Sequence, residues 1–170
     1  PKHGVCAEIG VWKGRFSRMI LEYAQPKRLY LIDPWSFQPE FAERKYGGKS
    51  AEAQEDMEAI YQNIRETLGS RPEVEIIRDY SSEAAEQIRD ASLDWVYIDG
   101  NHHYEYVKED LKTYHTKVKE DGYIAGDDYL WGEDLGYPVK RAVDEFLDAG
   151  KATNQMIDHD QFVLEKRSGA

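Results

Sequence analysis

Carboxylates recur at the ends of apolar runs in this chain, and their spacing is the first chemical signal. Leu29-Tyr30-Leu31-Ile32 ends on Asp33, Val74-Glu75-Ile76-Ile77-Arg78 on Asp79, Trp95-Val96-Tyr97-Ile98 on Asp99, and Tyr123-Ile124-Ala125-Gly126 on Asp127-Asp128. A further run, Val5-Cys6-Ala7-Glu8-Ile9, meets Gly10 and, four residues later, Gly14. A glycine turn from strand to helix lets backbone approach a ligand closely, and the helix start offers free N–H groups. Dinucleotide sites use G-x-G-x-x-G, whereas the pattern here is Glu-x-Gly-x-x-x-Gly, with Glu8 two before the first glycine. Asp33 stands 23 residues after Gly10. A carboxylate there can accept two hydrogen bonds from ribose hydroxyls, and a turn or helix cap is the plainer role for it. Asp99, Asp127 and Asp128 come from strands expected side by side. Three converging carboxylates repel one another unless a cation joins them, and an all-oxygen set suits Mg²⁺. Just past Asp99 lies His102. Its imidazole titrates near neutrality and suits a general base; the alternative is a helix-start residue that hydrogen-bonds and orients Asp99.

The elements that must position these residues alternate. Val5 to Ile9 reads as a strand, followed by a helix whose Phe16, Met19, Ile20 and Tyr23 fall on one face. Arg28 to Asp33 is the second strand. Ser50 opens a helix through Leu68, with Met57, Ile60, Tyr61 and Ile64 as its apolar face and Gly69 as its stop. Glu73 to Asp79 is the third strand, with Ser81 or Ser82 as the N-cap of the helix after it. Leu93 to Asp99 is the fourth strand, a helix follows to about Lys119, and Gly122 to Tyr129 is the fifth strand. Tyr137-Pro138 starts a helix that stops near Gly150, and strands near Gln155 to Ile157 and Phe162 to Glu165 close the chain as a hairpin. Such alternation predicts an α/β fold: a Rossmann-like doubly wound sheet of seven strands, mostly parallel, with a C-terminal antiparallel hairpin. Ligands of such sheets lie above the strand C-termini at the switch point, where Gly10, Asp33, Asp79, Asp99 and Asp127-Asp128 would meet. Residues 34–49 are too long and too aromatic for a plain connector; Trp35, Phe37, Phe41 and Tyr46 either cover a ligand or line an acceptor pocket, or else pack on the sheet or dock a neighbouring subunit.

The 170 residues fit a single domain, 1–170. With 41% hydrophobic and 32% charged residues the chain suits a soluble globular protein. Its net charge of −11 repels phosphate backbones and anionic membranes, so neither nucleic acid nor membrane is an expected partner. A small-molecule acceptor is expected, and homo-oligomers are compatible. Cys6 is the only cysteine, which excludes a disulfide framework, suggests a reducing cytoplasmic setting and reads as a small buried apolar residue. No apolar run approaches the roughly 18 residues of a membrane helix. The chain opens at Pro1 almost on its first strand, and a trimmed N-terminus is expected.

The glycine turn resembles the first motif of class I S-adenosylmethionine-dependent methyltransferases. Ile98-Asp99-Gly100-Asn101-His102-His103-Tyr104-Glu105-Tyr106-Val107-Lys108-Glu109-Asp110-Leu111 resembles the I-D-G-x-H-x-Y-E-x-V-x-x-D-L signature of the macrocin O-methyltransferase-like branch, and Gly126-Asp127-Asp128 matches as well. The resemblance implies S-adenosylmethionine as cofactor, its methionine part near Gly10 to Gly14 with Glu8 close to the amino group, and its adenine near Asp79 and Tyr80. It also implies that the acidic residues hold Mg²⁺. The expected site is therefore His102 and Asp99 for catalysis; Glu8, Gly10, Gly14, Asp33, Asp79, Tyr80 and Asp99 for the cofactor; and Asp99, Asp127 and Asp128 for the metal. His103 is expected to face solvent or a loop, Glu105 to be a first-turn charge, and Asp110 a structural acceptor. The implied reaction is Mg²⁺-assisted O-methylation of a hydroxylated small molecule. Two other readings compete: a non-catalytic cofactor-binding or oligomerisation module, and a nucleotide-dependent oxidoreductase, which the missing G-x-G-x-x-G disfavours.

Overall fold

A computed structural model describes residues 1–39 and 51–167. Its strands are β1 (Val5–Ile9), β2 (Arg28–Ile32), β3 (Val74–Ile77), β4 (Leu93–Ile98), β5 (Val118–Gly126), β6 (Ala152–Asp158) and β7 (Gln161–Lys166). They form one sheet in the order β3-β2-β1-β4-β5-β7-β6, in which β7 alone runs against its neighbours β5 and β6. The chain order reverses between β1 and β4, which is the switch point. Register does the rest. Ile9 lies opposite both Ile32 and Ile98, Ile32 opposite Ile77, and Ile98 opposite Gly126, so five strands end in one row. The residue after each strand continues the ladder: Gly10 donates its N–H to the Ile32 carbonyl, Asp33 to Ile77, Asp99 to Ile9 and Asp127 to Ile98.

Helices α1 (Arg15–Met19, continued by one π-turn over Ile20–Ala24) and α2 (Gln54–Leu68) cover one face, around a core of Cys6, Leu29, Leu31, Trp35, Met57 and Ile64. Helices α3 (Ser81–Ala85), α4 (Tyr104–Lys117) and α5 (Pro138–Asp148) bring Ala84, Leu111 and Val143 onto the other face, against Ala7, Val96, Ile124 and Leu164. Among the described residues no helix is long and apolar enough to cross a membrane. Cys6 is fully buried, and burial pushes its thiol up to about 12, which leaves it inert.

Several elements differ from the sequence reading. In α1 the buried stripe is Ser17, Ile20 and Leu21, one residue out of phase with the expected face; Met19 and Tyr23 are 44% and 62% exposed. Two apolar stripes compete on this short helix, and the π-turn presents Leu21 to the core. Ser50 lies outside the described residues, and α2 begins at Gln54. There Asp56 accepts the N–H groups of Glu52 and Ala53 and caps the first turn. Neither Ser81 nor Ser82 is the N-cap of α3; Tyr80 holds that position. Strand β5 starts at Val118 and ends at Gly126, so Asp127, Asp128 and Tyr129 belong to the loop beyond it. Phe41 and Tyr46 lie outside the described residues. Trp35 is core, fully buried with its ring against Tyr61, and Phe37 packs half-buried on the same cluster.

Candidate active site

Gly10 and Gly14 are fixed by their neighbours. A side chain at Gly10 would place its Cβ 1.9 Å from the Asp99 carbonyl oxygen, and one at Gly14 would place it 2.6 Å from Ile64 Cδ1. Both have positive φ, 87° and 68°. The first glycine thus lets the β1 turn touch the β4 tip, and the second lets α2 close over the helix start. Between them Trp12 donates its N–H to Asp33 Oδ2 at 2.8 Å.

Beneath this turn Glu8 is 1% exposed, and its Oε2 is buried without a hydrogen-bond partner. Burial pushes its carboxyl up to about 8, the neighbouring Asp99 and Asp33 add to the shift, and the adjacent Ser17 hydroxyl opposes it. A buried, unsatisfied acceptor of this kind fits a cationic ligand such as an ammonium group. Asp33 is also 1% exposed, and its Oδ1 accepts the Trp35 N–H at 2.7 Å. Asp79 is half-buried and turns Oδ1 onto the N–H of Tyr80, whose ring is 50% exposed beside the β3 tip.

Across the switch point three ligand atoms, one each from Asp99, His102 and Asp128, lie within 4.8 Å of one another. His102 Nε2 is 3.3 Å from Asp99 Oδ1 and 3.2 Å from Asp128 Oδ2. Burial pulls the imidazole pKa down, but the Asp99 hydrogen bond and the charges of Asp128, Asp99 and Asp127 outweigh it and raise it. Burial, with Asp99, Asp127 and Asp160 nearby, raises the Asp128 carboxyl even though His102 opposes it. Of the three expected metal carboxylates the structure brings two together with a histidine. Asp127 stands beside the group, its Oδ1 accepting the Asp128 N–H at 3.0 Å. The reason lies in the backbone: Asp127 still follows the β5 ladder, and Asp128 turns into the left-handed region, φ 61°.

Two residues of this corner were missed by sequence reasoning. Trp131 places its ring 5.4 Å from His102 and 6.1 Å from His103, walling the cluster. Asp160, on the β6–β7 turn, accepts the Tyr129 N–H through its carbonyl and the Leu130 N–H through Oδ1, anchoring the loop that carries Asp128. The run Asp127-Asp128-Tyr129-Leu130-Trp131 was the available signal for Trp131; Asp160 had none, being distant in sequence. His103 is the N-cap residue of α4 and half-buried, and Glu105 is exposed in the first turn. Asp110 is 4% exposed, and burial pushes its carboxyl up to about 7 although the Ser81 hydroxyl opposes this.

A seven-stranded sheet of this order with a glycine turn and an acidic tip row defines the class I methyltransferase architecture. The sequence profile of the family described as Methyltransferase domain matches residues 7–129, and the chain belongs to that family. It is thus a class I S-adenosylmethionine-dependent methyltransferase. Among solved structures the chain is similar to a candidate rRNA methylase from Clostridium thermocellum, with 16% identity over 99% of this chain and 89% of that one and a TM-score of 0.69. It is similar to the O-methyltransferase NovP at 22% identity, covering 97% and 72%, with a TM-score of 0.59. A candidate methyltransferase from Streptococcus mutans, solved in complex with SAH, matches at 14% identity, covering 97% and 89%, with a TM-score of 0.63. No curated protein matches the sequence.

Proposed function

We propose that this methyltransferase carries out Mg²⁺-assisted O-methylation of a hydroxylated small molecule. The observation that carries the reading is the convergence of Asp99, His102 and Asp128 one strand away from the glycine turn. Gly10, Gly14 and Glu8 would receive the methionine part of S-adenosylmethionine, Asp79 and Tyr80 the adenine, and Asp99 borders both halves. In the reaction an acceptor oxygen displaces the sulfonium methyl: an O–C bond forms, the S–C bond breaks, and S-adenosylhomocysteine leaves. Asp99 and Asp128 are the carboxylates that would hold a divalent ion, with Asp127 close behind them, and the donor set fits one. A bound ion supplies charge that lowers the pKa of an acceptor hydroxyl.

The chain's own residues do the rest. His102 would serve as general base once Asp99 and Asp128, which its Nε2 now faces, turn to an ion and leave that nitrogen free to take the acceptor proton. The two carboxylates fix its orientation and stabilise the imidazolium that results. Trp131 and His103 shield that edge from water. A net charge of −11 favours a small neutral or cationic acceptor over a polynucleotide.

The test is methyl transfer from S-adenosylmethionine to a panel of sugars and polyphenols, with Mg²⁺ and with EDTA. Transfer that needs the ion is the expected result. Binding of S-adenosylhomocysteine without methylation of any acceptor, in either condition, would replace this reading with a non-catalytic cofactor-binding module.

A further inference from the structure

We propose that Tyr129, held by Asp144 of α5, is a positioning residue that keeps the Asp128 carboxylate in place for a divalent ion. The inference rests on the Mg²⁺-assisted reading of that site. Asp128 brings its Oδ2 to 3.2 Å from His102 Nε2 while its backbone is left-handed, φ 61°. A non-glycine residue keeps such a conformation only where its surroundings over-determine it. On the upstream side the Asp127 N–H is tied to the Ile98 carbonyl, and Asp127 Oδ1 accepts the Asp128 N–H at 3.0 Å. On the downstream side Tyr129 is pinned at both ends. Its backbone N–H donates to the Asp160 carbonyl at 2.7 Å, and its hydroxyl donates to Asp144 Oδ1 at 2.7 Å. Lys140 Nζ donates to the same hydroxyl at 3.0 Å and pairs with the other Asp144 oxygen.

Adjacent residues of one loop thus serve two clusters. The buried Tyr129 ring joins the core to which α5 brings Val139, Ala142 and Val143, and the carboxylate one residue earlier faces His102. The Trp131 N–H closes the turn on the Asp128 carbonyl at 2.9 Å. With both flanks tied, the place of the Tyr129 ring sets the direction of the Asp128 carboxylate. Packing alone lets a ring slide along a core; a hydrogen bond at its tip fixes how deep it sits. Burial, with Asp144 adding, raises the Tyr129 pKa, so the hydroxyl keeps its proton and donates it to a carboxylate, the stronger kind of hydrogen bond. Lys140 and Asp144 stand one helical turn apart, which brings cation and anion to the same phenol oxygen. Groups that orient a metal ligand from behind typically change ion affinity by about 10- to 100-fold.

Tyr129→Phe keeps the ring and removes the hydroxyl; Asp144→Asn keeps Tyr129 whole and removes the charge that holds it. Mn²⁺, which takes the same oxygen ligands as Mg²⁺, is titrated into wild type, both variants and the double variant and followed by electron paramagnetic resonance. S-adenosylhomocysteine affinity and thermal melts are measured alongside. The expected result is Mn²⁺ affinity weakened about tenfold in each single variant, no further loss in the double, and S-adenosylhomocysteine affinity within about twofold of wild type. Mn²⁺ affinity unchanged in both single variants would overturn the proposal, and a lowered melting temperature would then leave the brace a role in stability alone. Equal losses of Mn²⁺ and S-adenosylhomocysteine affinity would also overturn it, since the defect would be general. Losses that add in the double variant would overturn the shared path through Tyr129. If Tyr129→Phe does not fold, Asp144→Asn decides by the same comparison of ion with cofactor. Wild type that binds no Mn²⁺ overturns the metal reading together with this proposal, a result seen before any variant is made.

Discussion

The two halves of the tip row use carboxylates in opposite ways. On the β1–β2 side Glu8 and Asp33 are each 1% exposed, and each Asp33 oxygen accepts a backbone N–H. On the β4–β5 side the side chains of Asp99, Asp128 and His102 are 34%, 33% and 23% exposed and lie against one another. The sealed half is built to hold one shape. The open half concentrates like charge around a single imidazole, which is costly unless a cation or a protonated histidine occupies it. Shape on one side and reactivity on the other should therefore be separable by mutation.

Four experiments break or sharpen this division, from the largest effect to the smallest. Gly10→Ala should abolish folding, because its Cβ would stand 1.9 Å from the Asp99 carbonyl oxygen and both halves meet at that contact. Circular dichroism would show it, and a stable, cofactor-binding variant would mean the two tips are free to separate. Asp128→Asn should lower methyl transfer by about 100-fold while S-adenosylhomocysteine affinity changes by less than about threefold. Equal losses in both would tie the halves together. Glu8→Gln should do the reverse, weakening S-adenosylhomocysteine by about tenfold, because an amide cannot ionise to pair with the ligand's ammonium.

The smallest effect is on stability against pH. Asp110 and Glu8 have folded-state pKa values raised to about 7 and about 8 by burial. Between the ordinary carboxylate range and those values the unfolded chain binds fewer protons than the folded one, so stability falls as pH rises from about 5 to about 8. Asp110→Asn, in melts across that window, should flatten part of the slope. A slope identical to wild type would show that Asp110 is already ionised in the folded protein.

Much of this was legible in the sequence because the signals were local. Apolar runs ending in carboxylates marked four strand tips and the glycine turn the fifth, and the parallel register that aligns them follows from strand–helix alternation. Asp99 and Asp128 meet as expected, and His102 lies between them. What could not be read were choices made by backbone torsion and distant contacts. Nothing in Asp127-Asp128 tells which residue turns inward until β5 ends at Gly126. Asp33 stands where a ribose acceptor is expected, and the backbone N–H groups of Trp12 and Trp35, from two different loops, also reach its oxygens. Met19 and Tyr23 fitted a helical stripe but lost the core to Ser17 and Leu21, one residue out of phase.

The division of the tip row is tested most directly by one paired measurement on the wild-type protein. S-adenosylhomocysteine affinity and methyl transfer are followed with Mg²⁺, after EDTA, and after Mg²⁺ is restored. Affinity should stay within about twofold, while transfer falls by about 100-fold and recovers. Transfer that persists in EDTA, or cofactor affinity that collapses with it, would contradict the account.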